Sequence, residues 1–248
     1  MEAIAQNLEK IRSRLAVGAV REPPLLIAVC KGQPKEKILE AIAAGQIDFG
    51  ENYAQELMGK YNALLENPPS SPFVKGGDGG GFLIKTGPVR IIRWHFIGHL
   101  QTNKVKQVID KVEWIHSVDS EKLAREIDKQ ASAIGKRQKI LIEVNLAGES
   151  SKTGISQEGL FSLITVCHNL PSISLHGLMT LPPPAKDPRP YFRRLKETVD
   201  EINQKKLYRS PLTELSMGMT DDYEVALEEG ATMIRIGTGV FGKRIPSP

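Results

Sequence analysis

A chain of 248 residues, 40% hydrophobic and 25% charged, has the make-up of a globular protein long enough to bury a substantial core. Its net charge of +4, with both signs interspersed, is too mild for a nucleic-acid binder, and no basic run with interleaved aromatics accompanies it. Cys30 and Cys167 each sit inside an apolar run, there is no signal-peptide core, and no stretch nears the ~20 apolar residues that cross a bilayer; the expectation is a cytoplasmic protein with free thiols and no membrane partner.

Ile4, Leu8, Ile11 and Leu15 form one stripe and predict an opening helix. Residues 25–29, LLIAV, read as a strand buried on both faces, running into Cys30 and Lys31. Pro34 opens a helix with Ile38, Leu39, Ile42 and Ala43 on its apolar face, ended by Gly45. Residues 47–50 form a second strand leading to Glu51 and Asn52, and Tyr53, Leu57, Tyr61 and Leu64 are spaced along the helix that follows. Composition then breaks. Between Asn67 and Pro88 lie four prolines and a run, 76–81, with five glycines in six positions, which reads as a flexible insertion at 68–88 with no regular element. Its GGDGGG lacks the lysine and helix start of a phosphate-binding loop.

Alternation resumes with strands at 94–98, 114–118, 140–144, 175–179, 214–217 and 233–236, separated by helices at 101–110, after Ser120, around 160–167, at 190–204 and at 221–229. Eight strands alternating with helices predict an α/β chain, and eight is the number that closes a (β/α)8 TIM barrel, here with an extra N-terminal helix and 1–248 as a single domain. An open doubly wound sheet is the competing arrangement, but no Gly-x-Gly-x-x-Gly follows the first strand.

In a barrel, every strand's carboxyl end faces one cavity. Lys31 lies there, at the end of the first strand. Desolvation favours a neutral, nucleophilic amine of the kind that forms Schiff bases; alternatively the side chain snorkels to water. Ser216-Met-Gly218-Met-Thr220 follows strand seven and Gly237-Thr238-Gly239 follows strand eight. One such loop is explained by tight turns and helix caps, but the pair favours a phosphate cradle, with Asp221 and Asp222 a repulsive complication unless they point outward. Arg235 interrupts a buried run and needs an acceptor: Glu143 or Glu214 within the fold, or a ring nitrogen of a ligand, with nothing to separate the two. His95 and His99 straddle a strand end without a completing carboxylate or thiol, so no metal site is expected, and His116 reads as a satisfied core histidine. A phosphate cradle, a lysine on strand one and an arginine between them describe a pyridoxal 5′-phosphate pocket.

These motifs resemble the YggS/PROSC family of pyridoxal phosphate homeostasis proteins, themselves similar to the barrel domain of alanine racemase. The matching segments are IAVCK at 27–31, DFGENYAQEL at 48–57, WHFIGHLQTNK at 94–104, IHSVDS at 115–120, IEVNLAGESSKTGI at 142–155, HGLMT at 176–180 and the long run LSMGMTDDYEVALEEGATMIRIGTGVFG at 215–242. The resemblance implies that Lys31 carries the internal aldimine, that Ser216, Gly218, Gly237 and Thr238 hold the phosphate, and that Arg235 lies at the pyridine nitrogen. Asn52 and Met179 would line the ring. Where the family has AVSKTKP this chain has AVCKGQP, so Gly32 and Gln33 replace a threonine and a second lysine. The Schiff-base position is kept, but a transfer role for that second lysine has no bearer.

An arginine at the pyridine nitrogen keeps its proton and leaves the ring a weak electron sink. In the racemases of this fold type a tyrosine from a further domain of the partner subunit supplies the second base, and this chain ends soon after strand eight. The expectation is therefore a monomeric binding protein that sequesters pyridoxal phosphate or delivers it to apoenzymes that depend on it, without catalysis of its own. A small racemase is the alternative, and a phosphate-ligand barrel without cofactor is a third reading, weakened by the lysine on strand one.

Overall fold

The computed structural model describes residues 2–18, 22–66, 73–75, 82–84, 90–148, 153–184 and 186–243. Ten strands follow in chain order: β1 (Leu25–Val29), β2 (Asp48–Glu51), β3 (Phe73–Lys75), β4 (Phe82–Ile84), β5 (Arg90–Phe96), β6 (Trp114–Val118), β7 (Gln138–Glu143), β8 (Ile173–Met179), β9 (Glu214–Ser216) and β10 (Met233–Ile236). Eight of them, all parallel, pair in the cycle β1-β2-β5-β6-β7-β8-β9-β10 and close on β1, giving the TIM-like barrel. The closing ladder sets Leu25 beside Met233, Ile27 beside Arg235 and Ala28 beside Ile236.

Nine helices are described: α1 (Glu2–Gly18), α2 (Lys35–Ala43), α3 (Ala54–Glu66), α4 (Val105–Val108), α5 (Glu121–Ala133), α6 (Gln157–His168), α7 (Arg189–Gln204), α8 (Tyr223–Glu228) and α9 (Thr238–Phe241). The α1 stripe of Ile4, Leu8, Ile11 and Leu15 is buried, against α2, α8 and α9. Ser120 caps α5, its hydroxyl accepting from the Leu123 N–H at 3.4 Å.

Side chains alternate across each strand, so the barrel has two layers. Trp94, Phe96, Ile115, Leu26, Ala28, Ile234 and Ile236 turn outward into the large core under the helices. Ile27, Trp114, Leu141, Met179 and Met233 turn inward and form a small separate cluster. The same register turns Asp48, His95, His116 and Arg235 inward, all of them buried.

Three sequence expectations change. The 101–110 helix is a 3-10 turn at Thr102–Lys104 followed by the short α4. Within 68–88, expected to hold no regular element, β3 and β4 form an antiparallel pair, and β4 pairs onto the start of β5, which therefore begins at Arg90. The triplets FVK and FLI have strand-forming composition and flank the glycine run, the pattern of a hairpin; the remainder of the insertion lies outside the described residues. Last, α9 follows β10 directly where the sequence suggested only a glycine loop.

Gly177 lets β8 and β9 approach, because a Cβ there would overlap the Glu214 carbonyl oxygen. Gly177→Ala is expected to lower the unfolding free energy by about 1–3 kcal/mol, read from urea titration.

Candidate functional site

Lys31 leaves β1 half-buried, its Nζ 5.5 Å from the centre of the Tyr53 ring. The residues on either side of it are tied down. The Cys30 N–H donates to the Gly50 carbonyl at 3.0 Å, and the Cys30 carbonyl accepts from Lys60 Nζ at 2.6 Å. Gly32, at φ 66°, donates its N–H to Glu56 Oε2 at 3.0 Å. Lys60 joins these anchors through ion pairs to Glu51 at 2.5 Å and Glu56 at 2.8 Å. Burial pushes the Glu51 carboxyl above its ordinary range, with Lys60 opposing. Burial, then Glu51, drives the Cys30 thiol well above the usual thiol range, which disfavours the thiolate.

Asn52 follows β2. Its N–H donates to Glu51 Oε1 at 2.7 Å, while its side-chain Oδ1 is buried and unpaired among the described residues. A Cβ on Gly98 would overlap the Asn52 backbone, so glycine is what lets the two strand ends meet. Beside them opens a cleft of about 470 Å³ lined by Asn52, Tyr53, Phe96, His99 and Lys104.

Across the β1–β10 seam are the two glycine loops. Gly218 adopts φ +91°, and a Cβ there would lie 2.6 Å from that of Ala226. The Thr238 hydroxyl donates to Thr220 Oγ1 at 3.1 Å and the Gly239 N–H to the same oxygen at 3.4 Å. A Cβ on Gly239 would come within 2.7 Å of Ile236 Cγ2. The loops therefore meet hydroxyl to hydroxyl, through Thr220, which was not among the expected site residues although SMGMT displays it. Asp222 accepts from the Met219 N–H at 2.6 Å, and Asp221 is exposed, which removes much of the expected repulsion.

Ser216 does not join that cradle. It is 0% exposed and faces the barrel interior, its Oγ 2.9 Å from His116 Nδ1 and accepting from Arg235 Nη1 at 2.5 Å. Arg235 also donates Nη2 to the Thr180 carbonyl at 2.9 Å. Neither expected carboxylate pairs with it: Glu143 accepts from Thr153 Oγ1 at 2.6 Å and Glu214 from Thr232 Oγ1 at 2.7 Å. Burial pulls the Arg235 pKa to about 10, against the pull of Glu143 and Asp222, so the guanidinium remains charged at neutral pH. Met179 is buried beside Ser216 and Glu143 by register.

Behind Ser216 a polar chain crosses the barrel. His116 Nε2 is 2.9 Å from His95 Nδ1, His95 Nε2 is 3.0 Å from Asp48 Oδ1, and Arg93 closes the far end with two 2.7 Å bonds to the Asp48 carboxylate. His116 is the satisfied core histidine expected; the chain itself was invisible in the sequence because its members are scattered over more than 150 positions, from Asp48 to Ser216. No cluster of three or more metal-ligating side chains occurs among the described residues.

A parallel barrel with lysine, arginine and a glycine-threonine cradle at its carboxyl-end rim defines the class of the pyridoxal-phosphate barrels. Residues 1–245 match the family model of the alanine racemase N-terminal domain. The pyridoxal phosphate homeostasis protein of Aquifex aeolicus is 40% identical over 98% of this chain and 97% of its own length. The structure of PipY from Synechococcus elongatus PCC7942 with PLP bound superposes with a TM-score of 0.79 at 33% identity, covering 96% of this chain and 100% of that one. Alanine racemase from Corynebacterium glutamicum shares the fold, with a TM-score of 0.70 at 14% identity, over 98% of this chain and 61% of its own. The chain belongs to the pyridoxal phosphate homeostasis protein family, within the alanine racemase N-terminal domain group.

Burial holds His95 below the ordinary imidazole pKa and His116 well below it. As pH falls through about 6.5, the unfolded chain takes up these protons first, so stability is full above that value and declines toward the folded pKa values. Glu51 and Glu143, raised by burial, act in the opposite sense, so the histidine effect is read by difference. Between pH 6.5 and 5, the unfolding free energy of the wild type is expected to fall more steeply than that of His116→Leu, by up to about 1.4 kcal/mol per pH unit, in urea titrations at several pH values.

Proposed function

We propose that this chain binds pyridoxal 5′-phosphate at the carboxyl-end rim of its barrel, attached through Lys31, and holds or delivers it in homeostasis of that cofactor without a reaction of its own. The observation that carries this reading is the β1–β10 seam, which sets a half-buried amine after β1 beside the Gly237–Thr238 loop after β10, itself joined through Thr220 to the Gly218 loop after β9, with the buried Arg235 on β10. The residues fit the group. Asn52 Oδ1 lacks a partner among the described residues at the same rim, and the loops tolerate no Cβ at Gly218 or Gly239. When bound, the cofactor supplies an aldehyde that condenses with amines and a phosphate that anchors it.

Lys31 is the attaching amine, steadied on both sides by the Lys60–Glu56 cluster. Gly218, Gly237 and Thr238, with Thr220, hold the phosphate, and Asn52 and Met179 line the ring. Arg235 faces the ring nitrogen and keeps its proton, which disfavours carbanion chemistry. Ser216 serves the site through Arg235, because its hydroxyl is already engaged. Racemisation needs a second base opposite the lysine, whereas Tyr53 sits against the Lys31 amine itself. The functional unit is 1–248 as one domain, a cytoplasmic monomer that passes the cofactor to dependent apoenzymes.

Lys31→Ala is expected to abolish the adduct trapped by borohydride while leaving the circular dichroism spectrum unchanged. Peptide mass analysis of the reduced wild type should place the label on Lys31; label on Lys35 or Lys104 would overturn the assignment.

A further inference from the structure

The chain Asp48–His95–His116–Ser216–Arg235 runs the width of the barrel interior, yet only its last two members belong to the expected site. Its ends are chemically unalike. Asp48, held below the usual carboxylate range by bonds from His95 and Arg93 that outweigh its burial, only accepts. Arg235 only donates. Between them stand two fully buried imidazoles, and a neutral imidazole has one donor and one acceptor nitrogen.

Those constraints leave one arrangement of protons. His95 Nε2 faces a carboxylate and so carries the hydrogen, which makes its Nδ1 an acceptor. His116 Nε2 must then carry a hydrogen toward it, leaving His116 Nδ1 to accept. Ser216 fills that need with its hydroxyl proton, and its remaining lone pairs point to Arg235 Nη1. With the proton committed inward, the Ser216 oxygen is a fixed acceptor, and it meets the Thr180 carbonyl as the second of two anchors on the guanidinium.

We infer that Asp48, His95 and His116 are positioning residues, a buried one-way hydrogen-bond chain that locks Ser216 as acceptor and thereby sets the orientation of Arg235 at the cofactor rim. The inference rests on the proposed cofactor site for its consequence, but the proton arrangement stands without it. None of the three touches the rim itself. They act on the site only through Arg235.

Two measurements decide it. In the purified protein without cofactor, two-bond nitrogen–proton correlation spectra of 15N-histidine at pH 7 should show both buried rings neutral with hydrogen on Nε2. A hydrogen on Nδ1, or a doubly protonated ring, in either histidine overturns the proposal. Asp48→Asn gives the far end a donor as well as an acceptor, and its spectrum should show mixed tautomers; unchanged single tautomers would count against the chain. For the consequence, Ser216→Ala and His116→Leu should take up pyridoxal phosphate about tenfold more weakly, with a displaced absorption maximum, while Lys31 remains the residue labelled by borohydride. His116→Asn, which keeps an acceptor near the Nδ1 position, should recover part of the loss. Variants that fold by circular dichroism yet match the wild type in affinity and absorption band overturn the inference. A wild type that takes up no cofactor would instead refute the proposed function, leaving the nitrogen spectra to judge the chain.

Discussion

Hydrogen bonding between β1 and β10 turns a row of parallel strands into a closed surface, and the rest of the molecule is arranged around that seam. Without it, both strands would be open edges with unpaired backbone groups, and the 200 or so residues between them would have no reason to bring their ends together. With it, Ile27 lies beside Arg235 and Ala28 beside Ile236, so the chain leaves β1 at Lys31 and leaves β10 at Gly237 on one rim. The amine and the glycine-threonine cradle are neighbours because of backbone pairing, not because of any attraction between them.

Closure also creates an interior that a helix-covered sheet would not have. Alternation sends every second residue inward, and the inward set is only partly apolar: Ile27, Leu141, Met179 and Met233 share the space with Asp48, His95, His116, Ser216 and Arg235. Polar groups in such a place destabilise a fold unless all of them are paired. Here nearly all are, through one continuous chain from Arg93 at one end of the barrel to the Thr180 carbonyl at the other. Asn52 Oδ1, one of four buried side-chain polar atoms without a hydrogen-bond partner among the described residues, lies at the rim.

A different cluster governs the lysine. Lys60 binds the Cys30 carbonyl and two glutamates, one of which caps the Gly32 N–H, so the backbone on both sides of Lys31 is fixed while its side chain is left to reach outward. Burial disfavours the thiolate form of the neighbouring Cys30. Together with an arginine that keeps its charge, these features suit a site that grips a ligand.

Much of this was legible in the chain itself. The buried run LLIAV, the period-2 and period-3.6 alternation and the count of eight strands determined the barrel, and the glycines of SMGMT and IGTG marked the cradle, because strand and turn preferences are local and survive in short windows. The hairpin of β3 and β4 was hidden by glycines and prolines around it, since a three-residue strand acquires its partner only from β5. Which acceptor Arg235 chooses could not be read either: Glu143 and Glu214 were equally plausible in sequence, and both turned to threonines while the arginine found a serine and a carbonyl. Direction is the reason. Sequence says which residues line a strand, but whether a side chain from position 48 meets one from 95, and that one meets 116 and then 216, depends on the stagger between strands, which exists only once the barrel has closed.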